Sequence, residues 1–113
     1  MDQRIHDRLP VVLQVRVTDL ATPECSASGD AIDLSESGIG LPLQFMPGTS
    51  VQLNIKDTVL YGFVSYSCPE RSFFRTGIEV VQVLLGTSGQ SQLLKAALEE
   101  AMPKLQMEYS GPR

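Results

Sequence analysis

The chain has no tryptophan and only two cysteines and one histidine among its 113 residues. A lone histidine, His6, leaves no His cluster for a metal and no evident nucleophile–base–acid set, and it reads as a surface residue. Cys25 and Cys68 stand 43 positions apart, which is neither a CxxC redox motif nor a metal-ligand spacing. The opening "MDQRIHDR" has no apolar h-region, so no secretory signal is expected, and both thiols are read as reduced and in or near the core. No apolar run is long enough to span a bilayer. Basic charge is also short: nine Lys and Arg face 13 Asp and Glu, for a net charge of −4. The broad basic face that duplex binding needs is missing. Aromatic residues make up 6% of the chain and fall mainly in its last two apolar runs, which disfavours a barrel that stacks single-stranded bases. These absences lead to four expectations: no DNA or RNA partner, no membrane insertion, no enzymatic activity, and a cytoplasmic location.

What is present is the patterning of a single β-rich domain over residues 1–113. Residues 9–20 alternate, with Val11, Leu13, Val15 and Val17 on one side and Gln14, Arg16 and Thr18 on the other, the period of a half-buried strand. "ATPE" is a turn, and residues 25–34 form a more polar strand ending in Ile32 and Leu34, with Gly29 marking a bulge or bend. "GIGLPL" alternates through Ile39, Leu41 and Leu43, and Pro47-Gly48 closes the run with a turn. "SVQLNIK" sets Val51, Leu53 and Ile55 against Gln52, Asn54 and Lys56. A longer β-branched and aromatic run, "VLYGFVSYSC", leads to the turn "PERS". The last strand, "FFRTGIEVVQV", places Phe74, Ile78 and Val80 on one face and Arg75 and Glu79 on the other, with Arg75 expected to pair with Glu79 and Gly77 to mark a bend. Six strands in series predict an antiparallel barrel or sandwich over residues 9–83. A helix over 91–106 follows, with Leu94, Ala97, Leu98, Ala101 and Leu105 as its apolar stripe, Ser88 or Ser91 as its cap and Pro103 as its end or kink. Such a helix plugs an open barrel end or covers an edge strand. The tail "EYSGPR" is expected to fray.

Two polar stretches stand out from this pattern. "RIHDR" holds Arg4 and Arg8, and "DLSESGIG" holds Asp33, Ser35 and Gly38. If the first two strands form a hairpin through residues 20–23, partners sum to about 43, and Arg8 falls opposite Ser35 to within about two residues. The two stretches then meet in space. An arginine fork matches phosphate or the O6/N7 edge of guanine, and Asp33 offers an acceptor for the N1–H and N2–H donors of guanine. Ser35 adds a hydroxyl, and Gly38 permits a turn or a close approach of ligand to backbone. Together they suit a small molecule carrying guanine and phosphate. Taken singly, each stretch also has a bland reading, solvated arginines in one case and a turn with side-chain-to-backbone bonds in the other.

"RIHDR" fits RxxxR and "DLSESG" fits (D/N)xSxxG, and in this order they resemble the PilZ domain family. The "MPGT" turn, the "RTGIEV" strand and the terminal helix are also similar to that family, and the likeness covers nearly the whole chain. The resemblance implies a mainly β fold, a six-stranded antiparallel split barrel with a C-terminal α-helix. It implies a bacterial receptor for the second messenger cyclic di-GMP, with no other cofactor and no metal, that passes its signal to an unidentified effector protein. By the same resemblance Arg4 and Arg8 hold phosphates and guanine edges, and Asp33, Ser35 and Gly38 line the guanine and backbone side. Residues 1–8 would be a flexible segment that wraps over the ligand. Gln3 stands where family members that capture a stacked ligand dimer tend to carry an Arg, which implies one ligand per site. Gln3 and Arg75 are secondary candidates for contact. The alternative is a PilZ-like interaction barrel that binds no nucleotide.

Overall fold

Alternation of small apolar and polar residues organises the first strand of the computed structural model, which describes residues 13–109. β1 (Gln14–Asp19) buries Val15 and Val17 and leaves Gln14 and Arg16 exposed. It pairs antiparallel with β2 (Ser26–Asp30), and Gln14 faces Asp30, one residue beyond the expected Gly29. The connecting turn is closed by Asp19, whose Oδ1 accepts from the backbone N–H of Ala21 at 2.9 Å and of Thr22 at 3.2 Å. Gly29 is a regular ladder residue opposite Val15 and not a bulge; a Cβ there would press on Leu43 and Pro42 at 3.3–3.4 Å.

The expected strand over 25–34 is two strands. The Ala31 N–H donates to Leu13 O at 2.8 Å, and the next N–H, of Ile32, donates to Gly40 O at 2.7 Å. The chain changes partners between these two residues and enters β3 (Asp33–Ser35), which pairs with β4 (Gly38–Leu41). β5 (Ser50–Ile55), β6 (Thr58–Pro69) and β7 (Phe74–Leu85) follow, and the sheet runs β2-β1-β5-β6-β7-β4-β3. Its two end strands are consecutive in sequence, joined only by Ala31 and Ile32. That short link forces the sheet to curl into an open half-barrel.

A further strand, β8 (Met107–Tyr109), pairs parallel to β7 through Val83, Leu84 and Leu85. One edge of β7 is therefore shared, with β4 along Thr76–Ile78 and β8 along Val83–Leu85. Among the described residues there are thus eight strands, where the sequence pattern predicted six. Glu108 and Tyr109, read as frayed, are ordered by that pairing. Val81 is skipped in the β6–β7 ladder and is 57% exposed, which lets Val80 and Val83 both face the core.

The helix α1 (Gly89–Ala101) is shorter than the expected 91–106 and starts earlier. Ser88 caps it, its hydroxyl accepting from the Ser91 N–H at 3.1 Å. Met102 ends it, with its N–H donating to Leu98 O at 2.7 Å, because Pro103 cannot continue the ladder. Leu94, Ala97, Leu98 and Ala101 join the core formed by Val15, Val17, Leu34, Ile39, Leu53, Leu60 and their neighbours. Leu105 follows the helix and packs half-buried against that core. Both cysteines are exposed, contrary to the expectation of a core position: Cys25 lies in the β1–β2 turn and Cys68 on the outer part of β6. Among the described residues no helix is long and apolar enough to cross a membrane.

A polar knot fastens α1 to the sheet. Asp57, in the β5–β6 turn, accepts from the Ser88 hydroxyl at 2.6 Å, the Ser91 hydroxyl at 2.5 Å and the Thr87 and Ser88 N–H groups at 2.9 and 3.0 Å. The serine hydroxyls, Ser88 foremost, hold its carboxyl well below the usual value of 3.8. Asp57 therefore adds stability at neutral pH that is lost as pH falls below 3.8 toward its depressed value. We expect the melting-temperature gap between the native chain and Asp57→Asn to stay constant above about pH 5 and to shrink below 3.8 in a thermal-melt series. A gap independent of pH would show that the carboxylate charge contributes nothing.

Candidate functional site

The stretch "DLSESGIG" is mostly strand. β3 and β4 are joined by a turn of two residues, Glu36 and Ser37, between the paired residues Ser35 and Gly38. The hydroxyls of Ser35 and Ser37 are 2.8 Å apart, and the Ser37 N–H donates to Ser35 Oγ at 3.3 Å. These bonds shape the turn as the bland reading proposed. Gly38 has φ +133°, and a Cβ there would lie 1.9 Å from the carbonyl oxygen of Ile78. The residue is glycine because β4 begins in a left-handed conformation pressed against β7.

Ladder register sorts the residues around the hairpin into two faces. The inner row crosses the sheet as Leu34, Ile39, Ile78 and Val64, each about 1% exposed and part of the core. The adjacent outer row is Asp33, Gly40, Gly77 and Tyr66. Its two middle members have no side chain, so the groups on either side can lie across them. Arg75, two residues before Gly77 on the same face, reaches over Gly40 and pairs with the Asp33 carboxylate. A Cβ on Gly40 would sit 2.6 Å from Asp33 Oδ1 and 3.5 Å from the Arg75 guanidinium, and a Cβ on Gly77 would sit 2.3 Å from the Tyr66 ring. Asp33 is 6% exposed, while Tyr66 is 40% exposed.

The expected Arg75–Glu79 pair is not formed. Four residues along a strand span roughly 13 Å, too far for an ion pair, whereas neighbouring strands lie about 4.8 Å apart. Arg75 therefore turns sideways, across the glycines, to the acid two strands away. Gly77, expected to mark a bend, is a paired ladder residue within β7, and with Gly40 it makes the floor of this outer row. Sequence reading placed Asp33, Ser35 and Gly38 in one motif, and the hairpin keeps them together. It missed Gly40, Gly77 and Tyr66 as one group and the partner of Arg75. The only signal was the glycine in each of two strands, and register is needed to see that they are neighbours. Arg4, Arg8 and Gln3, as well as His6 and the whole segment 1–8, lie outside the described residues, so the predicted meeting of Arg8 with Ser35 lies outside them too.

Chemically, the cluster offers a buried carboxylate, a guanidinium, a half-exposed phenol ring and the Ser35 hydroxyl over bare backbone. A cleft of about 740 Å³ opens beside the hairpin tip, between Glu36, Ser37, Glu79 and Val81 on one side and Met102 and Lys104 on the other. Among the described residues, no group of three or more His, Cys, Asp or Glu side chains is placed to hold a metal ion. Comparison of the chain with protein-family models, with curated proteins and with solved structures finds no match in any of the three.

Proposed function

We propose that this chain is a PilZ-like receptor that binds cyclic di-GMP and passes the signal to an effector protein, without catalysing a reaction. The observation that carries the reading is the outer row Asp33–Gly40–Gly77–Tyr66 with Arg75 beside it. It combines what a guanine nucleotide needs from a protein: a carboxylate for the N1–H and N2–H edge, a fork for phosphate or O6/N7, and an aromatic ring for stacking. Arg4 and Arg8, four residues apart, supply two further forks to the same ligand. The cleft at the hairpin tip is where an effector would sense a change in Glu36 and Ser37.

One observation favours the second reading, an interaction barrel that binds no nucleotide. Asp33 is already held by Arg75, so the motif also has a purely architectural use. Isothermal titration of the folded chain with cyclic di-GMP, with GTP as control, decides between the two. Micromolar or tighter binding of the cyclic dinucleotide and none of GTP is the expected result, and the fitted stoichiometry is expected at one. Arg8→Ala should weaken binding about tenfold or more, since a charge-assisted hydrogen bond contributes roughly 1.5–3 kcal/mol. Absence of binding by folded protein would leave the interaction barrel in its place.

A further inference from the structure

The outer face of β2, β1 and β5 carries a second polar group that the hairpin site does not use. Ser28, Arg16 and Asn54 stand in one cross-strand row. Gln14 precedes Arg16 by two residues on the same face of β1, and Lys56 follows Asn54 by two at the tip of the β5–β6 turn. With Gln90 of α1 these six side chains, and the apolar Leu13 and Ile55, line a hollow of about 440 Å³. That is room for a small phosphorylated molecule.

The lining contains two cations and no acid, in a chain where acids outnumber bases 13 to nine. Among the described residues the ion pairs are Arg75–Asp33 and Lys95–Glu99, and neither Arg16 nor Lys56 has an acidic partner there. Two acids lie closest in sequence or register, Asp30 and Asp57. Asp30 faces Gln14 in the ladder and makes no ion pair with Arg16, and Asp57 is turned to Ser88 and Ser91. One neutral lining group, Asn54, is turned to receive an acceptor. Gln52 donates to Asn54 Oδ1 at 3.0 Å, which leaves the Asn54 amide N–H groups as donors. Lys56 also has φ +56°, the one positive φ at a non-glycine position among the described residues, where a two-residue hairpin turn would favour glycine. The chain holds a long cationic side chain at a position that disfavours any side chain.

We propose that this hollow is a second binding site, for a compact ligand carrying phosphate. The Arg16 fork grips two oxygens, Lys56 supplies a point charge, and Ser28, Gln14, Asn54 and Gln90 donate to the rest. The site shares no lining residue with Asp33, Ser35, Gly38 or Arg75, and it stands whether or not the chain binds cyclic di-GMP.

The test is a titration of the ¹⁵N-labelled full chain with pyrophosphate, and with citrate at matched ionic strength, followed by amide chemical shifts. The expected result is saturating shifts at Gln14, Arg16, Ser28, Asn54 and Lys56, with pyrophosphate at least about tenfold tighter than citrate. The double variant Arg16→Gln, Lys56→Gln should weaken pyrophosphate at least about tenfold while its spectrum stays dispersed, because both side chains are exposed. Shifts that do not saturate, shifts confined to residues 33–40, equal affinity for citrate, or a variant that binds as tightly as the native chain would each overturn the proposal. Binding of cyclic di-GMP, measured separately, bears on none of these outcomes.

Discussion

Gly38→Ala is expected to cost about 3 kcal/mol or more of folding stability, a large share of the 5–15 kcal/mol typical of a domain. Two effects add. The residue sits at φ +133°, a region that costs a side-chain-bearing residue about 1–3 kcal/mol. Its new methyl would also lie 1.9 Å from the Ile78 carbonyl oxygen, an atom fixed in the centre of the sheet. Relieving that overlap means moving β4 off β7, and overpacking of this kind costs about 1–3 kcal/mol more. Gly48 supplies the control. Its φ is +91°, but no atom lies within 4 Å of where a Cβ would be, so Gly48→Ala should show only the conformational cost, about 1 kcal/mol. Urea unfolding of both variants measures the difference. Equal midpoints would mean that the β4–β7 contact yields at little cost. Gly38 is thus needed by the fold itself, and its presence in the motif does not by itself indicate a ligand.

Replacing Asp33 with alanine should affect stability and binding together. Its side chain is 7% exposed and that of Arg75 25%, so removal of the carboxylate leaves a mostly buried guanidinium without its ion pair. The guanidinium can partly rotate to water, which keeps the expected loss near 2 kcal/mol and below the 3–5 kcal/mol of a fully buried pair. Asp33→Asn keeps the shape and drops the charge, and should lose less. For binding, the same deletion removes a charged acceptor for guanine, and a loss of about 10- to 100-fold in affinity for cyclic di-GMP is expected. Denaturant unfolding and calorimetric titration of the two variants separate the effects. An Asp33→Asn protein that is nearly as stable as the native chain but binds no ligand would assign the carboxylate to recognition. Unchanged binding in Asp33→Ala would remove it from the site.

Both predictions rest on contacts between strands distant in sequence, and that is where reading the chain alone stopped. Faces could be read locally. Alternation assigned Val15, Val17, Val51, Leu53, Ile55 and Ile78 to the interior, because side-chain direction in a strand depends only on parity. Turn chemistry at Pro47-Gly48, the choice of Ser88 or Ser91 as the cap and the break at Pro103 depend on a few neighbouring residues, and they too were legible, although the helix bounds were not. The motif around Asp33, Ser35 and Gly38 was visible for the same reason.

Partners could not be read. The switch from Leu13 to Gly40 between Ala31 and Ile32 leaves no mark in composition, yet it splits one strand into two and bends the sheet into an open half-barrel. The choice of Asp33 over Glu79 by Arg75 depends on Gly40 and Gly77 falling side by side, and a slip of one residue in either ladder would turn the glycines to the other face. The pairing of β8 with the remaining edge of β7, and the exposure of both cysteines, are likewise consequences of where strands end and which edge they find. Within an unbroken stretch of strand the direction of each side chain is a local property of the backbone, and the sequence determines it, whereas the irregularity at Val81 comes from pairing. Adjacency is set by nonlocal hydrogen bonding and packing, and only the folded sheet decides it.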